Sequence, residues 1–193
     1  MSTFRIFILS AFLLASFSSF AQVGGHFGVK AGVNSAKTAQ DGPTRFYSRF
    51  KNDFHLGAMY RLRLNRIVLQ PEALYSVKGG SFKEYTTGRV TRNNYNYLSL
   101  PLLVGYIPTE GLTFQAGPEF SYALNTTRTN GPAKKNDLGI VVGVHYDFLD
   151  LAEKFSLHLR YIHGLNDISG TPTVKYYNRT FQASIVYNFY RKK

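Results

Sequence analysis

From Thr180 to Tyr190 the chain alternates without a break. Phe181, Ala183, Ile185, Tyr187 and Phe189 fall on one parity, and Thr180, Gln182, Ser184, Val186 and Asn188 on the other. Successive side chains of an extended chain point to opposite faces, so this pattern specifies a strand with one apolar and one polar side. Residues 155–163 repeat it, with Phe155, Leu157, Leu159 and Tyr161 set against Ser156, His158 and Arg160. So do 137–148, 54–65 and 112–125, and, less cleanly, 23–34, 66–78 and 95–106. Eight alternating stretches of about ten residues match tilted membrane-spanning strands. Strands of soluble sandwiches are usually shorter. Pro71, Pro101 and Pro118 interrupt otherwise good strands, and each predicts a bulge or local defect because proline lacks a ladder donor.

The connections alternate in length. Asn65–Arg66, Pro108–Gly111 and Leu149–Lys154 are short, whereas 35–53, 79–94, 126–136 and 166–178 are long. Short turns at one rim and long loops at the other are the pattern of outer-membrane barrels, whose short side faces the periplasm. The expected fold is therefore all-β, an eight-stranded antiparallel up-and-down transmembrane β-barrel over 22–193. An even strand count closes the sheet without a free edge.

Residues 1–21 read as an export signal, with Arg5, an apolar run from Ile6 to Leu14, and small Ser19 and Ala21 ahead of a cleavage point. The run is too short to span a bilayer as a helix, which needs roughly 20 residues. Nowhere else is an apolar run long enough to do so, so a membrane location requires a barrel. The chain has no cysteine, which removes disulfides, thiol nucleophiles and Cys-ligated metals.

With the apolar faces outward, the interior collects a polar network of Lys30, Arg61, Arg63, Glu72, Glu119, His145, Asp147, His158 and Arg160, joined by His26 and His55. The reverse facing would put several cations against lipid at roughly 2–4 kcal/mol each. An eight-stranded barrel is only wide enough to be filled by its own side chains, so a salt-bridged interior without an open pore is expected. The five histidines form neither an HExxH nor a His-x-His pair, and the long loops contain none. No enzyme, metal site or cofactor is expected.

The formal net charge of +12 gathers in the long loops, at Arg45, Arg49, Lys51, Lys83, Arg89, Arg92, Arg128, Lys134 and Lys135 among others. Solvated loops explain this blandly. The sharper expectation is contact with lipopolysaccharide phosphates, each basic residue near an anionic surface being worth about 1 kcal/mol. Nucleic acid is not expected, because its binding modules mix aromatics with basic residues on one exposed sheet and here the aromatics share faces with Leu, Val and Ile. The competing architecture is a soluble lipocalin-like barrel carrying a small apolar ligand, which requires polar residues outside and an apolar hollow within.

Phe27-Gly28-Val29-Lys30-Ala31-Gly32-Val33-Asn34, the run Leu69 to Gly80, Tyr97-Leu98-Ser99-Leu100-Pro101-Leu102-Leu103-Val104-Gly105-Tyr106 and Gly164-Leu165-Asn166-Asp167-Ile168 together resemble the PorT-like outer-membrane β-barrel family of Bacteroidetes. That family often carries an acidic residue where Ser99 stands. The C-terminal strand, with Phe189 and Tyr190 near its end, is similar to the signal read by the barrel assembly machinery, though three basic residues follow it. The resemblance implies an eight-stranded barrel, an outer-membrane address and a structural or interaction role at the cell surface. Through the member that gives the family its name, it implies a link to type IX secretion and gliding.

Overall fold

The computed structural model describes residues 24–126, 131–149, 152–170 and 172–189. The expected signal segment, Arg128 and the C-terminal Tyr190–Lys193 lie outside the described residues. Among those described, nine strands form: β1 (Gly25–Asp41), β2 (Phe46–Arg49), β3 (Lys51–Leu64), β4 (Ile67–Glu84), β5 (Val90–Thr109), β6 (Leu112–Ala123), β7 (Asn136–Asp147), β8 (Phe155–Gly164) and β9 (Lys175–Phe189). Eight of them close a ring in the order β1-β3-β4-β5-β6-β7-β8-β9, every neighbour antiparallel. Closure runs along β1 and β9 from Phe27↔Phe189 to Asp41↔Lys175. The short β2 stands outside the ring and pairs with the end of β4, Phe46 opposite Glu84 and Arg49 opposite Ser81.

The period-two pattern becomes inside and outside. On β7, Ile140, Val142 and Tyr146 are exposed on the outer wall, while Val141 and His145 are buried. Around the ring the outward residues form a band of Val29, Leu56, Leu100, Val104, Val142, Leu159 and Ile185, each roughly half exposed. Aromatics border that band on both sides. Phe27, Tyr106, Phe114, Tyr146, Phe155 and Phe189 lie toward the short-turn rim; Phe54, Phe120, Tyr122 and Phe181 lie toward the other. Rings pack in pairs within each border, Phe27 with Tyr60 at 4.7 Å between centroids and Tyr161 with Phe181 at 4.8 Å. An apolar band between two aromatic girdles is the outer surface of a membrane barrel. It is the reverse of the lipocalin arrangement, which the exposed Leu, Val and Phe side chains overturn.

The strands are longer than the sequence pattern suggests. β4 has 18 residues and β5 has 20, against the 9–11 or so that cross a bilayer at a tilt. Both continue beyond the band as a hairpin that turns at Gly88, whose φ is +70°. Much of the expected loops 35–53 and 79–94 is therefore strand. On β4 the stretch Val77–Phe82 is buried on both faces, and on β5 Val90–Arg92 is exposed on both, so alternation fades there although ladder pairing persists. The prolines leave local defects rather than bulges: register is unchanged across them, but the ladder lapses where Tyr60–Arg61 face Gln70–Pro71, where Glu72–Ala73 face Leu100–Pro101 and where Leu102–Leu103 face Gly117–Pro118. A register shift occurs between Tyr106 and Thr109. Curvature is helped by Gly32, where a Cβ would sit 2.0 Å from the Ala183 carbonyl oxygen.

Candidate functional site

The lumen is the most distinctive part of the molecule. Inward positions from six of the eight ring strands bring Lys30, Arg61, Lys78 and Arg160 together with Glu72, Glu119, Asp137 and Asp147. The set balances four cations against four carboxylates, which is what burying this many charges requires.

Three contacts cross the full width of the ring at successive heights. Near the short-turn rim, Arg61 on β3 approaches Asp147 on β7 to 3.6 Å and donates to Thr113 Oγ1 at 2.6 Å. At mid-height, Arg160 Nη1 on β8 donates to Glu72 Oε2 on β4 at 2.8 Å, while its Nε donates to Gln182 at 2.5 Å. Toward the far rim, Asn178 Nδ2 on β9 donates to the Tyr97 hydroxyl on β5 at 3.2 Å and to Asp137 at 2.7 Å. β3 and β7, β4 and β8, and β5 and β9 are each four places apart in the ring, so each contact is diametric.

Shorter links fill the space between these bars. Lys30 Nζ donates to both Glu72 oxygens at 3.1 and 3.3 Å and lies 3.0 Å from His158 Nδ1. Gln70 donates to Glu72 at 2.8 Å, and Gln115 to Gln70 at 2.9 Å. Lys78 Nζ donates to Glu119 at 2.6 Å and to Ser121 at 3.1 Å, and Arg160 Nη2 reaches to 3.9 Å from the other Glu119 oxygen. His145 lies 3.0 Å from Asp147, and His55 is held at 2.7 Å from both Asn34 and Ser184. Above the uppermost bar the lining turns apolar. Tyr95, Tyr97, Ala123 and Ile168 cluster with Tyr176, and Phe82 stacks at 5.9 Å on Tyr176 from the leaning end of β4.

Of the nine interior residues expected, Lys30, Arg61, Glu72, Glu119, His145, Asp147, His158 and Arg160 take part in this network. Arg63 does not. Its side chain is 43% exposed and pairs with Glu110 at 2.8 Å across the short-turn rim. Parity places Arg63 with Arg61, but it stands two residues from the Asn65–Arg66 turn, where the strand has already left the barrel mouth. Lys78 and Asp137 also line the lumen, beyond the nine residues expected there. Lys78 shares parity with Gln70, Glu72 and Ser76, a signal hidden because Gly79 and Gly80 read as the start of a loop.

The basic rim is more ordered than a set of loops. Arg49 lies on β2, Lys51 on β3, Lys83 on β4 and Arg92 on β5, while Arg45, Arg89, Lys134 and Lys135 lie in connections. Lys51 pairs with Asp53 and donates to Asn94 at 2.6 Å. Lys134 pairs with Asp167 at 2.7 Å, and the other Asp167 oxygen accepts the N–H groups of Ser169 and Tyr176, at 2.9 and 3.0 Å. Slight burial pushes the Asp167 carboxyl upward, but Lys134 and those backbone donors outweigh it and hold the group well below the usual carboxylate range. Among the described residues, no group of three or more His, Asp or Glu side chains is placed to hold a metal ion.

A sequence-family model described as outer membrane protein beta-barrel domain matches residues 20–170. No curated protein matches the chain. Among solved structures, it is similar to the outer membrane protein OprG from Pseudomonas aeruginosa, at 12% identity and a TM-score of 0.55, covering 88% of this chain and 98% of that one. Neisserial surface protein A, NspA, is 17% identical with a TM-score of 0.47, covering 86% of this chain and 99% of that one. At such identity the OprG likeness speaks for the fold alone. The family match and the outward apolar band place the protein in the bacterial outer membrane. The chain belongs to the outer membrane protein β-barrel domain family.

Proposed function

We propose that this is a closed, non-conducting barrel that serves as a structural and interaction protein rather than a pore or an enzyme. The observation that carries the reading is the set of three diametric contacts, Arg61 to Asp147, Arg160 to Glu72 and Asn178 to Tyr97. A hydrated ion could pass only by breaking each bar in turn, and each break would strand charge or a polar group in a narrow lumen. In this reading residues 1–21 are removed on export, and the barrel assembly machinery inserts the chain through β9. The strand-extended rim then faces outward, where its basic residues meet lipopolysaccharide phosphates. The PorT-like resemblance adds a Bacteroidetes source and a partner in type IX secretion.

Conductance of the mature chain in planar bilayers tests the closure. The wild type is expected to give no steps above the bare-membrane baseline, and stable single-channel steps would refute it. Co-isolation with secretion-machine components tests the partner separately.

A further inference from the structure

Two depressions on the far half of the outer wall adjoin. One is an apolar groove of about 340 Å³ whose apolar lining is Leu98, Leu100, Phe120, Tyr122 and Leu138, between β5, β6 and β7. The other is a polar basin of about 500 Å³ lined by Lys134, Lys135 and Asp167. Asn136 and Asn166 line both, so the groove opens directly into the basin. The groove lies within the apolar band beside the girdle aromatics Phe120 and Tyr122, and the basin lies just above it, where a bilayer places its headgroups.

We infer that the groove and basin together form a binding site for an acylated, phosphorylated lipid of the outer leaflet, of the lipid A type, with acyl chains along Leu98, Leu100 and Leu138 and phosphate at Lys134 and Lys135. The site rests on the proposed outward placement of the basic rim. Charge complementarity selects the occupant. Asp167 fixes Lys134 in place, and among the described residues no carboxylate pairs with Lys135, so the basin keeps an uncompensated cation beside an oriented one. A second copy of this chain would bring the same cations against each other, and a neutral lipid would leave Lys135 without a counter-ion. A phosphate supplies the charge, and acyl chains supply what the groove excludes from water.

Binding of bisphosphorylated lipid A to the mature full-length chain in detergent, read by fluorescence titration, tests this. Two lysines at roughly fivefold each predict about 25-fold weaker binding for Lys134→Gln/Lys135→Gln. Arg63→Gln, at the opposite, short-turn rim and outside the basic rim, is expected within about twofold of wild type. Dephosphorylated lipid A is expected to lose the difference between wild type and the Lys134/Lys135 variant, and inorganic phosphate is not expected to compete. All variants change exposed residues, and heat-dependent migration on gels confirms folding. If wild type binds no lipid A, the outward basic rim itself fails. If wild type binds and the Lys134/Lys135 variant binds equally well, or inorganic phosphate displaces the lipid, the rim reading survives and this site is wrong.

Discussion

Replacing Arg160 with Met removes the central crossbar while keeping most of its volume. The guanidinium stands 2.8 Å from Glu72 and 3.9 Å from Glu119. At an effective dielectric constant of about 20, unit charges at those separations attract by about 6 and about 4 kcal/mol. Arg160→Met also abolishes the guanidinium's own burial cost, several kcal/mol, so the full attraction is not lost. What remains is a lumen with three cations facing four carboxylates and with Gln182 deprived of its donor. A loss of about 3–5 kcal/mol is expected, the range for breaking a buried pair from one side. Adding Glu72→Gln restores the charge balance, so the double variant should be less destabilised than the sum of the singles by at least about 1 kcal/mol. The assay is urea unfolding of the barrel refolded into short-chain phosphatidylcholine vesicles, followed by intrinsic tyrosine fluorescence. An Arg160→Met barrel within about 1 kcal/mol of wild type, or strict additivity in the double variant, would refute the crossbar reasoning.

Other outcomes follow from the same facing and the same rim. Val142→Arg, at the middle of the outer apolar band, should destabilise by about 2–4 kcal/mol in the same vesicles. Arg63→Gln, at the solvated short-turn rim, should leave the unfolding midpoint unchanged. The Asp167 carboxyl has a folded pKa below its unfolded value near 3.9, so it contributes to holding the β8–β9 connection above that pH and the contribution is lost as pH falls through the folded pKa. Hydrogen exchange at Ser169 and Tyr176 should thus stay slow from neutral pH to about 4 and accelerate below it relative to the intrinsic rate; Asp167→Asn should remove much of that protection at every pH. N-terminal analysis of protein recovered from the outer membrane should begin at Gln22, and an intact Met1 would contradict the export reading.

Much of the barrel is legible in the sequence because lipid and lumen impose opposite chemistry on alternate residues. β7, β8 and β9 show this most clearly, with Ile140, Leu159 and Ile185 outward and His145, Arg160 and Gln182 inward. What parity does not reveal is height along the axis. It therefore groups the rim residue Arg63 with Arg61, and hides Lys78 behind two glycines. Gly79, with φ +112°, sits within a continuous strand rather than ending it. β2 has only four residues, the extension of β4 is buried on both faces through Val77–Phe82, and β5 is exposed on both faces at Val90–Arg92, so no alternation marks them. The apolar cluster over the lumen joins Tyr95, Ile168 and Tyr176 from distant parts of the chain, and nothing local in the sequence predicts that meeting.

Lipid contact along β7 tests the facing most directly. The chain has no cysteine, so single cysteines at 140, 141, 142, 145 and 146 can each carry a small fluorophore without background. In vesicles of brominated lipid, labels at 140, 142 and 146 should be strongly quenched, whereas 141 and 145 should resist both the lipid quencher and labelling from water. Quenching that fails to alternate, or aqueous labelling of 140 and 142 in the folded barrel, would contradict the account.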